Sequence, residues 1–218
     1  MGSYQRPLIE VPVFCDGEGR AIKYGNRWAA GPPEDTYSVE THPERFAPLH
    51  TVADALVNHL RETYDVEVEE SAEVAAGLIR PPFHDVVRAV RIRPNDPSCA
   101  TLTVVLTADP GIYINAGLLN DFRYPVCGCD ACDSTWEAEA DDLERQVHAV
   151  VAGHYRESID RRLGGPWVGY SFTYPDGDEG SGGTLANDIP AERIKAATPI
   201  LHKLSDGWSE WPRAALSP

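Results

Sequence analysis

Cys127, Cys129 and Cys132 lie within six residues in the pattern Cys-x-Cys-x-x-Cys, so three of the chain's five cysteines sit in one short segment. Such spacing lets three sulfurs point into one small volume, which is the chemistry of thiolate binding to zinc or another soft metal. An odd cysteine count with three clustered fits reduced thiols or a metal better than a disulfide framework. Three side chains this close cannot all enter one core, so packing explains them poorly. A zinc-binding domain with a structural metal is therefore the leading reading. An enzyme or a thiol-based redox or metal sensor, with one of these cysteines reactive, is the alternative.

A closed zinc site needs a fourth ligand. Cys99 is the best candidate: a hairpin pairing Thr107 with Ile112 would bring the start of its first strand beside Leu118 and Leu119, where the chain leaves for Cys127. Cys15, His42, His50 and His84 could reach the site through non-local contacts, and Asp130 or Asp133 could supply oxygen. His148 and His154 are excluded, because a continuous helix from Ser134 carries them roughly 20 to 30 Å from its start. His154 then falls on the apolar stripe of that helix as a core histidine. Cys132 stands two residues before the expected cap, where the helix dipole favours a thiolate.

The elements that must position the cluster follow from periodicity. Leu49, Val52, Ala53, Leu56, Val57, Leu60 and Tyr64 mark an amphipathic helix. Period-two runs follow at Val66 and Val68, at Val86, Val90 and Ile92, at Leu102, Val104 and Leu106, and at Ile112, Ile114 and Ala116. Asp109-Pro110-Gly111 turns the last two runs into a hairpin. Arg91 and Arg93 alternate onto the opposite, wetted or charge-paired face. A second helix opens at Ser134, with Glu137 in capping-box spacing, and continues through Trp136, Ala140, Leu143, Val147, Val150, Val151 and His154 to about Leu163, where Gly164-Gly165-Pro166 ends it. Val168, Tyr170, Phe172 and Tyr174 read as a strand, residues 176–183 as a Gly- and acid-rich loop, Ala191 as the start of a short helix, and Trp208 to Trp211 as a segment that packs back. The resulting fold class is α+β: a mainly antiparallel sheet, two principal helices on one face, and irregular N- and C-terminal arms. The chain is expected to form a single domain over 1–218, with a core at about 37–175, an N-terminal arm over 1–45 and a C-terminal extension over 176–218.

Composition narrows the partners. With 19 Lys and Arg against 34 Asp and Glu, the net charge of −15 opposes nucleic-acid binding and docking on an anionic membrane. No apolar run approaches the ~20 residues of a membrane span, and the start Met1-Gly2-Ser3-Tyr4-Gln5-Arg6 lacks the basic and apolar regions of a secretory signal, so a cytoplasmic location is expected. A protein partner and a small molecule both stay open. Phosphate-binding loops, a nucleophile elbow and a His-Glu-x-x-His pair are absent. Asp176-x-Asp178 begins like a calcium loop, but Gly180, Ser181 and Asn187 stand where ligands, glycine and the closing Glu would be needed.

Residues 41–50, Thr-His-Pro-Glu-Arg-Phe-Ala-Pro-Leu-His, the helix after them, and Pro125-Val126-Cys127-Gly128-Cys129-Asp130-Ala131-Cys132-Asp133 resemble an uncharacterised family of conserved proteins from high-GC Gram-positive bacteria. The likeness covers roughly residues 37 to 175. It implies a cytoplasmic bacterial protein of one domain and carries no assigned activity or site.

Overall fold

The computed structural model describes residues 3–215, so the Met1-Gly2 start and the last three residues lie outside it. Helix α1, Pro48–Thr63, has Pro48 at its first turn, where a missing N–H costs nothing. It buries Leu49, Val52, Ala53, Leu56, Val57 and Leu60, the stripe that periodicity predicts. Strands β1 (Val66–Glu70), β2 (Val86–Pro94), β3 (Leu102–Thr107), β4 (Gly111–Ala116) and β5 (Asn120–Tyr124) form an antiparallel meander in the order of the chain. The β3–β4 hairpin forms as the turn composition suggests, but one residue tighter than a Thr107–Ile112 pairing: Thr107 opposes Gly111 and Leu106 opposes Ile112.

Val90, Ile92, Leu102, Val104, Leu106, Ile112 and Ile114 belong to the core under α1. The other face carries a smaller cluster, in which Ala89 and Val105 sit beneath Val74 and Leu78. Central β3 is therefore buried along its whole length. Beyond that patch the second face is charge-paired as expected, with Arg91 3.1 Å from Glu69 and Arg93 2.7 Å from Glu67, while Arg88, on the face of α1, pairs with Glu70 at 2.8 Å and with Asp54 of that helix.

Helix α2, Trp136–Val151, packs against α1, β5 and a second, three-stranded sheet of β6 (Tyr155–Arg162), β7 (Gly165–Thr173) and β8 (Glu179–Leu185). Helix α3, Ala191–Leu201, lies along β6. The C-terminal segment does pack back. Trp211 is buried with its indole N–H donating to the Ala100 carbonyl at 3.0 Å, and Trp208 is buried beside Glu157. A single hydrophobic cluster runs from Phe46 through both sheets and all three helices to Trp211.

Several expectations need correction. Thr135, not Ser134, caps α2, its hydroxyl accepting from the Ala138 amide at 3.2 Å. The helix stops at Val151 rather than Leu163: Gly153 takes φ +74°, a left-handed conformation that ends helices readily, and Tyr155 begins β6. Val151, Tyr155 and Ile159 recur every four residues, a spacing close to a helical turn and also an even number, so it fits a strand face equally well. His154 consequently lies outside the helix and is exposed. The loop expected at 176–183 is largely β8; Gly180, Gly182 and Gly183 have no intrinsic strand preference, but Tyr174, Tyr170 and Trp167 lie across them where a Cβ would stand, at 3.1, 2.6 and 2.5 Å. Among the described residues, no helix is long and apolar enough to cross a membrane.

Candidate metal centre

The turn between β5 and α2 brings Cys127, Cys129 and Cys132 together. Their Sγ atoms all lie within 4.8 Å of one another, with Cys127 to Cys129 at 3.3 Å and Cys129 to Cys132 at 3.4 Å. Cys129 is buried, Cys127 half-buried and Cys132 exposed. In a tetrahedral site with Zn–S bonds of ~2.3 Å, sulfurs stand about 3.8 Å apart, so small side-chain adjustments would admit an ion. This group could hold a metal.

The N-terminal segment holds the turn, and this was not legible from its Gly- and Pro-rich composition. Asp130 N–H donates to the Val39 carbonyl at 2.7 Å and Ala131 N–H to the Thr36 carbonyl at 3.1 Å. Arg27 donates through Nη2 to the Asp130 carbonyl at 2.7 Å and through Nε to Asp133 Oδ1, while its amide donates to Asp133 Oδ2 at 2.8 Å. Arg45, almost wholly buried, donates to the Gly128 carbonyl at 2.6 Å, and Trp28 Nε1 to the Asp130 carbonyl at 2.9 Å. Both guanidinium groups stack on Tyr24 at 4.4 Å from its ring, a geometry that holds them in place. At Gly25, φ is +90° and a Cβ would fall 2.8 Å from the Thr135 methyl, so glycine there permits the arm to close over the helix start.

The thiols do not ionise alike. For Cys129 burial is the largest influence and raises the pKa, but donation by Cys127 Sγ, by the Cys132 amide and thiol and by the Ser38 amide outweighs it and holds the thiol down at about 7. Hydrogen bonding to Cys127 and Cys129, together with burial and their negative charge, pushes Cys132 up to about 12. The helix dipole thus does not make Cys132 the low-pKa thiol, because its sulfur neighbours are closer. A bound cation would favour the thiolate at all three.

None of the suggested fourth donors joins the group. Strand β5, which periodicity did not mark, returns the chain along β4, so that it leaves from Tyr124 opposite Ile112, at the hairpin-turn end. Cys99 precedes Leu102 at the other end, roughly 13 Å or more away along the strands. Its thiol donates to the Glu210 carbonyl at 3.2 Å, and burial raises its pKa. His42 engages both ring nitrogens, with Glu44 at 3.0 Å and the Cys15 carbonyl at 3.1 Å. His50 is on α1, half-buried, and burial lowers its pKa. His84 pairs with Asp109 at 3.2 Å, and exposed Cys15 lies in the arm, bridged to Ala21. Thr41 binds both Asp130 oxygens and Arg27 both Asp133 oxygens, so these carboxylates serve the turn itself. Among the described residues, the cluster comprises the three cysteines alone.

No curated protein and no solved structure matches the chain. A family of unknown function, DUF6226, matches residues 10–215, nearly the whole chain, and the protein belongs to that family.

Proposed function

We propose that the protein binds one zinc ion through the thiolates of Cys127, Cys129 and Cys132, and that the metal fastens the turn between β5 and α2. The observation that carries this reading is the convergence of three Sγ atoms within 4.8 Å on a turn fixed by Arg27 and Arg45. Such support resembles the outer hydrogen bonding that orients metal ligands elsewhere. Soft thiolates favour zinc among the abundant divalent ions, and a reducing compartment such as the cytoplasm would keep them available. Purified untagged protein is expected to contain about one equivalent of zinc. Folded protein that stays metal-free at equilibrium with added zinc would overturn the reading.

Exposure of Cys132 and the 3.3 to 3.4 Å sulfur contacts favour a second reading, a thiol switch or thiol enzyme. Alkylation separates the two: zinc-bound thiolates should react only after chelation, whereas a switch cysteine reacts without it.

A further inference from the structure

A cleft of about 200 Å³ opens beside the cysteine turn, with Cys127 and Gly128 in one wall and Arg123 and Glu40 among its other lining residues. Arg123 is exposed, stands 6.0 Å from the ring of the exposed Phe83, and forms no ion pair among the described residues. Glu40, also exposed, lies over Gly128, where a Cβ would come within 2.9 Å of its carboxylate oxygen. Among the described residues the cluster has three protein donors, and the carboxylates nearest them in sequence are committed to Arg27 and Thr41. A tetrahedral ion held by three protein ligands keeps one position for an exchangeable ligand. With three thiolates already present, a fourth sulfur is the preferred partner.

We propose that this fourth position takes the thiolate of a small aminothiol acid, a molecule of cysteine's size and chemistry, whose carboxylate is held by Arg123 and whose ammonium is held by Glu40. The inference rests on the zinc reading above. A cleft this size suits a ligand smaller than drug-like molecules. On binding, the ligand's S–H proton passes to the buffer, its sulfur lone pair binds the metal and a water leaves, so no oxidant or reductant is consumed. The two charged contacts are solvent-exposed, which limits each to a several-fold effect on affinity.

The test uses full-length protein loaded with cobalt(II) under anaerobic conditions, where sulfur-to-cobalt charge-transfer absorption reports the number of thiolates bound. Titration with L-cysteine should intensify that absorption to saturation while the protein retains its cobalt. Cysteamine, which lacks the carboxylate, and 3-mercaptopropionate, which lacks the ammonium, should bind roughly threefold to tenfold more weakly. Arg123→Gln should erase the preference for cysteine over cysteamine only, and Glu40→Gln the preference over 3-mercaptopropionate only. Cobalt-loaded protein with an unresponsive spectrum, cysteine that strips the metal, or equal affinities for the three thiols would overturn this inference and leave the metal site standing. Failure to take up one equivalent of cobalt would overturn both.

Discussion

Two side chains illustrate what single residues contribute. Cys129 is the buried, central sulfur of the cluster, whereas Cys15 is exposed and outside it. On the zinc reading Cys129→Ser loses a metal ligand, and with it binding free energy that exists only in the folded state, so it should cost about 3 kcal/mol in the presence of zinc, a fall in Tm of roughly 6 to 12 °C. Cys15→Ser should move Tm by little, and equal small shifts measured calorimetrically would argue against a structural metal. Glu157 raises a different question. Its carboxylate is buried and accepts from the Leu118 and Leu119 amides at 2.9 and 2.8 Å, from Asn120 at 2.8 Å and from Trp208 at 3.1 Å. Burial nevertheless pushes its pKa above the ordinary 4.5, the four donors only partly offsetting it. Below pH 4.5 both folded and unfolded chains hold this proton. Above it the unfolded chain releases the proton first, so this group's contribution to stability falls as pH rises toward the folded pKa. Glu157→Gln should therefore be less stable than wild type, with donors left facing an amide N–H, yet the gap should narrow as pH rises above 4.5. Denaturant titrations at several pH values measure it, and a gap that widens over that range would refute the raised pKa.

At the scale of elements, the end of α2 decides where the second sheet begins. The helix must stop for Tyr155 to enter β6, and Gly153 accomplishes this at φ +74° with the Glu210 amide packed 2.5 Å from where a Cβ would lie. Gly153→Ala should cost about 2 to 3 kcal/mol, combining left-handed strain with displacement of the C-terminal segment, and should lower Tm by roughly 5 to 10 °C. A shift below a degree would mean that the segment yields freely. Strand β5 has the matching role at the other end of α2. By reversing direction after β4 it delivers Cys127 to the end of the sheet where the N-terminal arm can reach it, and Val126 N–H then meets the buried Glu139 of α2 at 3.1 Å.

Across the whole molecule, the cysteine turn and the paired tryptophans occupy different regions yet share one core. Trp211 seals the start of β3 through Ala100, while the core continues through Leu143 and Tyr124 toward the turn. A continuous core predicts one cooperative transition. Tryptophan fluorescence and metal release should report the same denaturant midpoint, and two separated midpoints would divide the chain into independently folding units.

Much of this was written in local pattern. The stripe of α1, the β3–β4 hairpin and the proximity of the three cysteines all follow from spacing over a few residues, because helix and strand periods and a six-residue reach are set by backbone geometry alone. The acidic balance likewise follows from composition. Tertiary structure decided the rest. A four-residue apolar spacing serves both a helix and a strand, so only the packing of Tyr155 and Phe172, stacked at 4.8 Å, fixes β6 as a strand. The glycines of β8 become a strand because aromatic rings of β7 and of Tyr174 just after it lie across them, and β5, with Asn120, Asp121 and Arg123 among its five residues, pairs because β4 presents a free edge. Arg27 and Arg45 could not be connected with the cysteines by any local rule, since each lies more than 80 residues away in the chain and finds its carbonyl only after the arm folds across the turn. The sequence by itself determined which atoms could bind a metal; the fold decided that Cys99 would not be among them, because one unmarked strand turned the chain toward the opposite end of the sheet.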